Sequence, residues 1–251
     1  MRIPLKDKAA IGRIRESSKI LARCLDYLKD YIQPGISTGE IDRLADNFIR
    51  QANAVPSFKG FRGYPASVCI SLNDEVVHGI PSPRRIIQDG DIVSLDVGVY
   101  KDGYHGDGAW SYIAGRCDPG VEKLLQVTRT ALMSGIEQAR VGNHLGDIGA
   151  MIQNTCEGAG FSVVRDLVGH GIGQQLHEPP QIPNYGRKNS GPLLCAGMTL
   201  AIEPMINMGS YDVETLDDGW TIVTADHSLS AHFEHTIVIN PDGPEILTKL
   251  S

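Results

Sequence analysis

A chain of 251 residues, 41% hydrophobic and 21% charged, is long enough for one α/β unit with a sizeable core, and its composition excludes a disordered or fibrous protein. A net charge of −7 with no long Lys/Arg run excludes the basic footprint of a nucleic-acid or anionic-membrane binder, and no apolar run approaches the ~18 residues of a membrane span. Five scattered cysteines, never in CxxC, and an N-terminus without an apolar export segment lead us to expect reduced thiols and a cytoplasmic protein.

In chain order, Ile11, Ile14, Leu21, Leu25, Leu28 and Ile32 form the stripe of an amphipathic helix that Pro34-Gly35 ends. Ser37 and Glu40 have capping-box spacing ahead of Ile41, Leu44, Phe48 and Ile49, which predicts a second helix. SVCISL, EVVHGI and DIVSLDVGVY follow as strands, separated by turn residues. Helical spacing returns at Val121, Leu124, Leu125, Thr128, Leu132 and Ile136 and again from Leu145 to Cys156, before TLAIEPMI, WTIVTAD and FEHTIVI resume β texture.

This order of helices, strands, helices, strands reads as a duplication. A shift of 107 lays PGISTGEIDRLADN from Pro34 over VGNHLGDIGAMIQN from Val141, and sets Asp96 on Glu203. The expected organisation is one domain, 1–251, with halves of about 1–115 and 116–251.

In the strand 91–100, Val93, Leu95, Val97 and Val99 share one face and Asp96 lies on the other. A hairpin turn at Lys101-Asp102-Gly103 places Asp107 on the face of Asp96, opposite it or one step along, with Cβ atoms roughly 5–8 Å apart. Taken alone, such a pair fits a solvated sheet face better than a metal site. His170 in GHGIG, Glu203 in AIEPM and Glu234 in FEHT change that balance, because each carboxylate stands in an apolar strand. Four carboxylates and one imidazole suit two hard or borderline divalent ions (Mn²⁺, Fe²⁺, Co²⁺ or Zn²⁺) rather than a structural thiolate zinc. Such ions ~3.5–4 Å apart can share and acidify a water for amide hydrolysis without a covalent intermediate. HGIGQQL lacks the third glycine and the βαβ setting of a dinucleotide loop, and no G-x-S-x-G elbow is present.

SVCISLNDEVVHGIP, DGDIVSLDVGVYKDGYHGD, GHGIGQQLHEPPQIPNY, GMTLAIEPMI and FEHT, in this order and spacing, resemble the type I methionine aminopeptidases among the pita-bread metallopeptidases. The resemblance covers nearly the whole chain. It implies an α+β pita-bread fold of two pseudo-twofold α-β halves around an antiparallel sheet. It also implies removal of initiator methionine ahead of a small second residue, by a metal-bridged hydroxide attacking the first peptide bond. Asp96 would chelate one ion, Asp107 and Glu234 would bridge both, and His170 with Glu203 would complete the second. His78 and His177 would be catalytic histidines beside the scissile peptide, and Glu203 would also shuttle a proton. Phe61, Tyr64, Cys69 and Trp220 would line the methionine pocket, although each also suits an ordinary core position.

The implied partners are nascent polypeptide N-termini, with action near the ribosome, as a monomer without nucleic acid or membrane. In one departure from the family's pattern, Gly108 follows Asp107 where a hydroxyl residue is common. The alternatives are a prolidase or proline aminopeptidase on the same ligands, and a non-catalytic peptide-binding module.

Overall fold

Helix α1 (Lys8–Leu28) starts where the Asp7 carboxylate accepts the Ala10 N–H at 2.8 Å, and it buries Ile14, Leu21, Leu25 and Leu28 on one face. The helix proper ends six residues before Pro34, giving way to a 3₁₀ turn at Lys29–Tyr31. Ile32, the last residue of the stripe, is buried from outside the helix. This computed structural model describes residues 3–249, so residues 1–2 and 250–251, at the outer ends of the expected halves, lie outside it.

Helix α2 (Thr38–Gln51) is capped by the Ser37 hydroxyl, which accepts the Glu40 N–H. Only half of the expected capping box forms, because the Glu40 carboxylate turns outward to Arg43. Short β1 (Val55–Pro56), β2 (Cys69–Leu72) and β3 (Glu75–Val77) lead into the long hairpin of β4 (Ile92–Lys101) and β5 (Tyr104–Ile113). Helices α3 (Pro119–Gln138) and α4 (Leu145–Gly158) open the second half. After them come β6 (Ser162–Val163), β7 (Val168–Gly171), β8 (Glu178–Pro183), β9 (Thr199–Ile202) and β10 (Met205–Asn207). The chain closes with β11 (Val213–Thr215), β12 (Ile222–Thr224), β13 (Ser230–His232), β14 (His235–Asn240) and β15 (Gly243–Ile246).

All strand pairs among the described residues are antiparallel. One sheet has β4 at its centre, flanked by β1 and β2 along one edge and β5 along the other. The larger sheet runs β15-β14-β9-β7-β8, and two three-stranded sheets, β13-β10-β6 and β11-β12-β3, fill in beside it. Val93, Leu95, Val97 and Val99 pack under α1 and α2, while Leu124, Leu132 and Ile136 of α3 and Ile148 and Ile152 of α4 cover Leu200, Ile202 and Ile237. Helices therefore lie outside and the two β systems face each other inside.

The 107-residue offset recurs in the backbone. Thr38–Gln51 and Leu145–Gly158 have bounds that differ by that offset, and so do the isolated bridges Ser37↔Ile86 and His144↔Leu193. The hydrogen bonds from Gly35 N to Ile87 O and from Gly142 N to Leu194 O repeat it, with both glycines at φ 93°. At that backbone angle an L side chain is strained, which accounts for glycine at both places.

Candidate active site

The β4–β5 hairpin turns on Asp102 and Gly103, at φ 49° and 88°, the positive values that a two-residue type I′ loop requires. That turn fixes the register so that Asp107 faces Gly98, one step along from Asp96 on the same side. Gly98 leaves no side chain in the way, and Phe58 and Ser57 occupy the room a Cβ would take. Across the other edge of β4, Cys69 pairs with Asp96. The face carrying the two aspartates is covered rather than solvated: Asp107 is buried, and Asp96, half-buried as a residue, has its Oδ1 buried.

Glu203 and Glu234 stand in breaks of their strands, not inside them. TLAIEPMI is divided into β9 and β10 at Glu203-Pro204, and β13 gives way to β14 at Phe233-Glu234. Pro204 has no N–H to donate, so the ladder opens there. His235 pairs with Ile202 on one side of the gap and His232 with Met205 on the other, in one unbroken register that sets Glu203 opposite Glu234. The Glu234 N–H bonds to Ala109 O, and Thr236 Oγ1 accepts from Asp107 N and donates to Asp107 O, which ties this gap to β5.

His170 is delivered by β7, between two glycines. A Cβ at Gly169 would collide with the Ala201 carbonyl and one at Gly171 with the Pro179 carbonyl, which explains the glycines of GHGIG as close backbone approaches. Gly169→Ala is expected to cost about 1–3 kcal/mol of stability. A thermal melt at or above the wild-type temperature would contradict this.

The His170 imidazole donates Nδ1–H to Gly171 O at 2.9 Å, leaving Nε2 free at 3.7 Å from Asp107 Oδ2 and 3.5 Å from Glu203 Oε1. One donor atom each from Asp107, His170 and Glu234 lie within 4.8 Å of one another. Asp96 Oδ1 and Glu234 Oε1 are buried without any hydrogen-bond partner.

Burial pushes the carboxyls of Asp96, Glu203 and Glu234 well above the usual carboxylate range, and their mutual repulsion adds to the effect. Asp107 is raised to about 7 by burial, against the opposing pull of the Gly108 N–H. Crowded, buried carboxyls are ionised at low cost only beside a cation, and this donor set of carboxylates with one tautomer-fixed imidazole fits a divalent metal pair.

Above the carboxylates is a cavity of about 270 Å³. Tyr64 and Trp220 meet edge to face at 5.1 Å and wall one side with Cys69. Phe61, half-buried, stands edge-on to His177 at 5.3 Å. His78, in the left-handed region at φ 60°, reaches the cavity with Trp220 at 6.4 Å, and His177 lies 4.3 Å from His170. The expected metal, histidine and pocket residues all line this one cavity. Burial drops His78 to about 4 and lowers His177, so both imidazoles are neutral and each carries one N–H and one acceptor. Burial likewise keeps the Cys69 thiol protonated.

Phe58, Leu176 and Met205 also line the cavity but were not read from the sequence. Leu176 beside His177 and Met205 two residues after Glu203 were the available signals. His232, buried 4.0 Å from Glu203, was missed as well, although it stands two residues before Glu234. At Gly108 the absent hydroxyl is answered by the backbone, whose N–H donates to Asp107 Oδ1 at 3.1 Å.

The chain matches metallopeptidase family M24 over residues 12–241. It is 54% identical over 246 residues to a methionine aminopeptidase of Clostridium perfringens and 50% identical over 245 residues to methionine aminopeptidase 1 of Bacillus subtilis, each match covering 98% of both chains. The crystal structure of a methionine aminopeptidase from Thermotoga maritima superposes with a TM-score of 0.98 at 44% identity, covering 99% of this chain and 100% of that one. A prolidase from Pyrococcus furiosus, 20% identical with a TM-score of 0.79, shares the fold over 98% of this chain and 66% of its own.

Proposed function

The chain belongs to metallopeptidase family M24, and from that footing we propose that its α+β pita-bread fold serves removal of the initiator methionine from polypeptides whose second residue is small. The observation that carries the reading is the convergence of Asp96, Asp107, His170, Glu203 and Glu234 on one cavity whose lining also includes Phe58, Phe61, Tyr64, Trp220 and Met205.

In this reading Asp96, Asp107, His170, Glu203 and Glu234 would hold the two divalent ions. When bound, the ions supply Lewis acidity and a low-pKa water. The oxygen-rich donors favour Mn²⁺, Fe²⁺, Co²⁺ or Zn²⁺. Tyr64, Cys69, Phe61 and Trp220 receive the first side chain, and a flexible, polarizable methionine thioether packs well against aromatic rings and sulfur. His78 and His177, neutral and on the cavity wall, donate hydrogen bonds to the scissile peptide. The Glu203 carboxylate accepts the proton of the attacking water and passes it to the leaving amine. The free N-terminal amine is read at the carboxylate end of the cavity, which restricts cleavage to the first peptide bond.

We place this activity in the cytoplasm, on nascent chains near the ribosome, carried out by a monomer without nucleic acid or membrane. Five free cysteines, three of them buried, are the thiols of a reducing compartment.

The test is mass spectrometry of metal-loaded protein with Met-Gly, Met-Ala, Met-Leu and Ala-Pro peptides. Methionine is expected from the first two alone. Cleavage confined to Ala-Pro would replace this reading with a prolidase-like one, and inertness toward all four would replace it with a binding module.

A further inference from the structure

Among the buried side-chain polar atoms left without a partner in the described residues, three belong to no expected ligand, Ser18 Oγ, Asn184 Oδ1 and His232 Nε2, and of these His232 Nε2 faces the carboxylate of an expected ligand, Glu203. His232 is 1% exposed at the end of β13, opposite Met205. Its backbone is held on both sides by Ser111, whose Oγ accepts the His232 N–H at 2.9 Å and donates to the His232 carbonyl at 2.8 Å. Ser111 is itself bonded to Ser94 at 2.7 Å, so the ring is mounted on the β4–β5 hairpin that carries Asp96 and Asp107.

His232 does not line the substrate cavity, whereas Glu203 does. The two oxygens of Glu203 divide accordingly: Oε1 lies 3.5 Å from His170 Nε2, and Oε2 lies 4.0 Å from His232 Nε2. One oxygen faces His170 and the other faces the unpartnered nitrogen of His232. A buried ring N–H with no acceptor is unfavourable, and a carboxylate oxygen with a free lone pair is the acceptor within reach.

We propose that His232 is a positioning residue for Glu203. As a neutral imidazole with its proton on Nε2, it donates to Glu203 Oε2 and so turns Oε1 toward His170. Closing the gap from 4.0 Å to hydrogen-bond length takes about 1 Å of side-chain adjustment. This rests on the metal-centre reading above, because the hydrogen bond matters to the extent that Glu203 must present one defined oxygen to an ion. Partners of this kind orient metal ligands, and losing one weakens metal binding by about 10- to 100-fold.

The test compares His232→Gln with His232→Asn, both polar and both checked for native circular dichroism. Glutamine places an amide N–H where imidazole Nε2 stands, and asparagine falls one bond short. Calorimetric titration of the metal-free proteins with Mn²⁺ is expected to give near wild-type affinity for His232→Gln and a dissociation constant about 10- to 100-fold higher for His232→Asn. Wild-type affinity in His232→Asn overturns the proposal, and so does equal weakening of both variants, which would make the ring itself the requirement. Failure of His232→Asn to fold is answered by His232→Gln alone, whose weakened binding would likewise overturn it. A wild-type protein that binds no Mn²⁺ overturns the metal-centre reading beneath it, and is distinguishable because it needs no variant.

Discussion

Glu203→Gln is expected to release methionine about 10²- to 10⁴-fold more slowly than the wild type, the range typical for loss of a positioned acid–base group. That corresponds to about 3–5 kcal/mol of barrier. The expectation follows from position. Glu203 lines the cavity, sits in the gap between β9 and β10 opposite Glu234, and has its backbone carbonyl fixed by the Asn184 amide at 3.0 Å. Glutamine keeps the size and one carbonyl oxygen toward His170 but cannot take a proton. Metal content measured on the same sample separates loss of proton transfer from loss of a ligand. A variant with full metal content and wild-type turnover would remove Glu203 from the chemistry.

Removal of metal is the second large effect. With a chelator, activity is expected to vanish and to return on adding Mn²⁺ or Co²⁺. The melting temperature should fall at the same time, because four carboxylates are enclosed at the site and Asp96 Oδ1 and Glu234 Oε1 lack any partner. At 100-fold excess over the dissociation constant, one bound ion stabilises by about 2.7 kcal/mol. For a chain of this size that is roughly 5–10 °C. Differential scanning calorimetry with and without chelator measures it, and coincident melts would show that the carboxylates accommodate one another without an ion.

Asp96 and Asp107 could be paired from the sequence because strand alternation has a period of two and Asp102-Gly103 specifies a two-residue turn, so parity alone sets the face. The offset of 107 placed Glu203 in correspondence with Asp96 for a related reason: glycines at positive φ punctuate both halves at matching places. The breaks at Glu203 and Glu234 were harder to read. Apolar neighbours in TLAIEPMI and FEHTIVI look like continuous strands, and only Pro204, which cannot join a ladder, marks an interruption.

Pocket residues such as Leu176 and Met205 carry no chemical signature, since an apolar side chain facing a cavity and one facing the core are written identically. His232 escaped for the opposite reason. A histidine beside FEHT is chemically conspicuous, but its value lies in a vacancy at Nε2 that only three-dimensional packing reveals.

The proposed role of the five converging residues is to hold metal for hydrolysis of the first peptide bond. Equilibrium dialysis of metal-free protein against Mn²⁺, with methionine release from a Met-Ala-Ser peptide followed in parallel, tests that role. Bound metal and methionine release are expected to rise together, binding to reach two ions per chain, and Asp107→Ala to lose both. Full methionine release by protein shown to contain no bound metal would contradict that role.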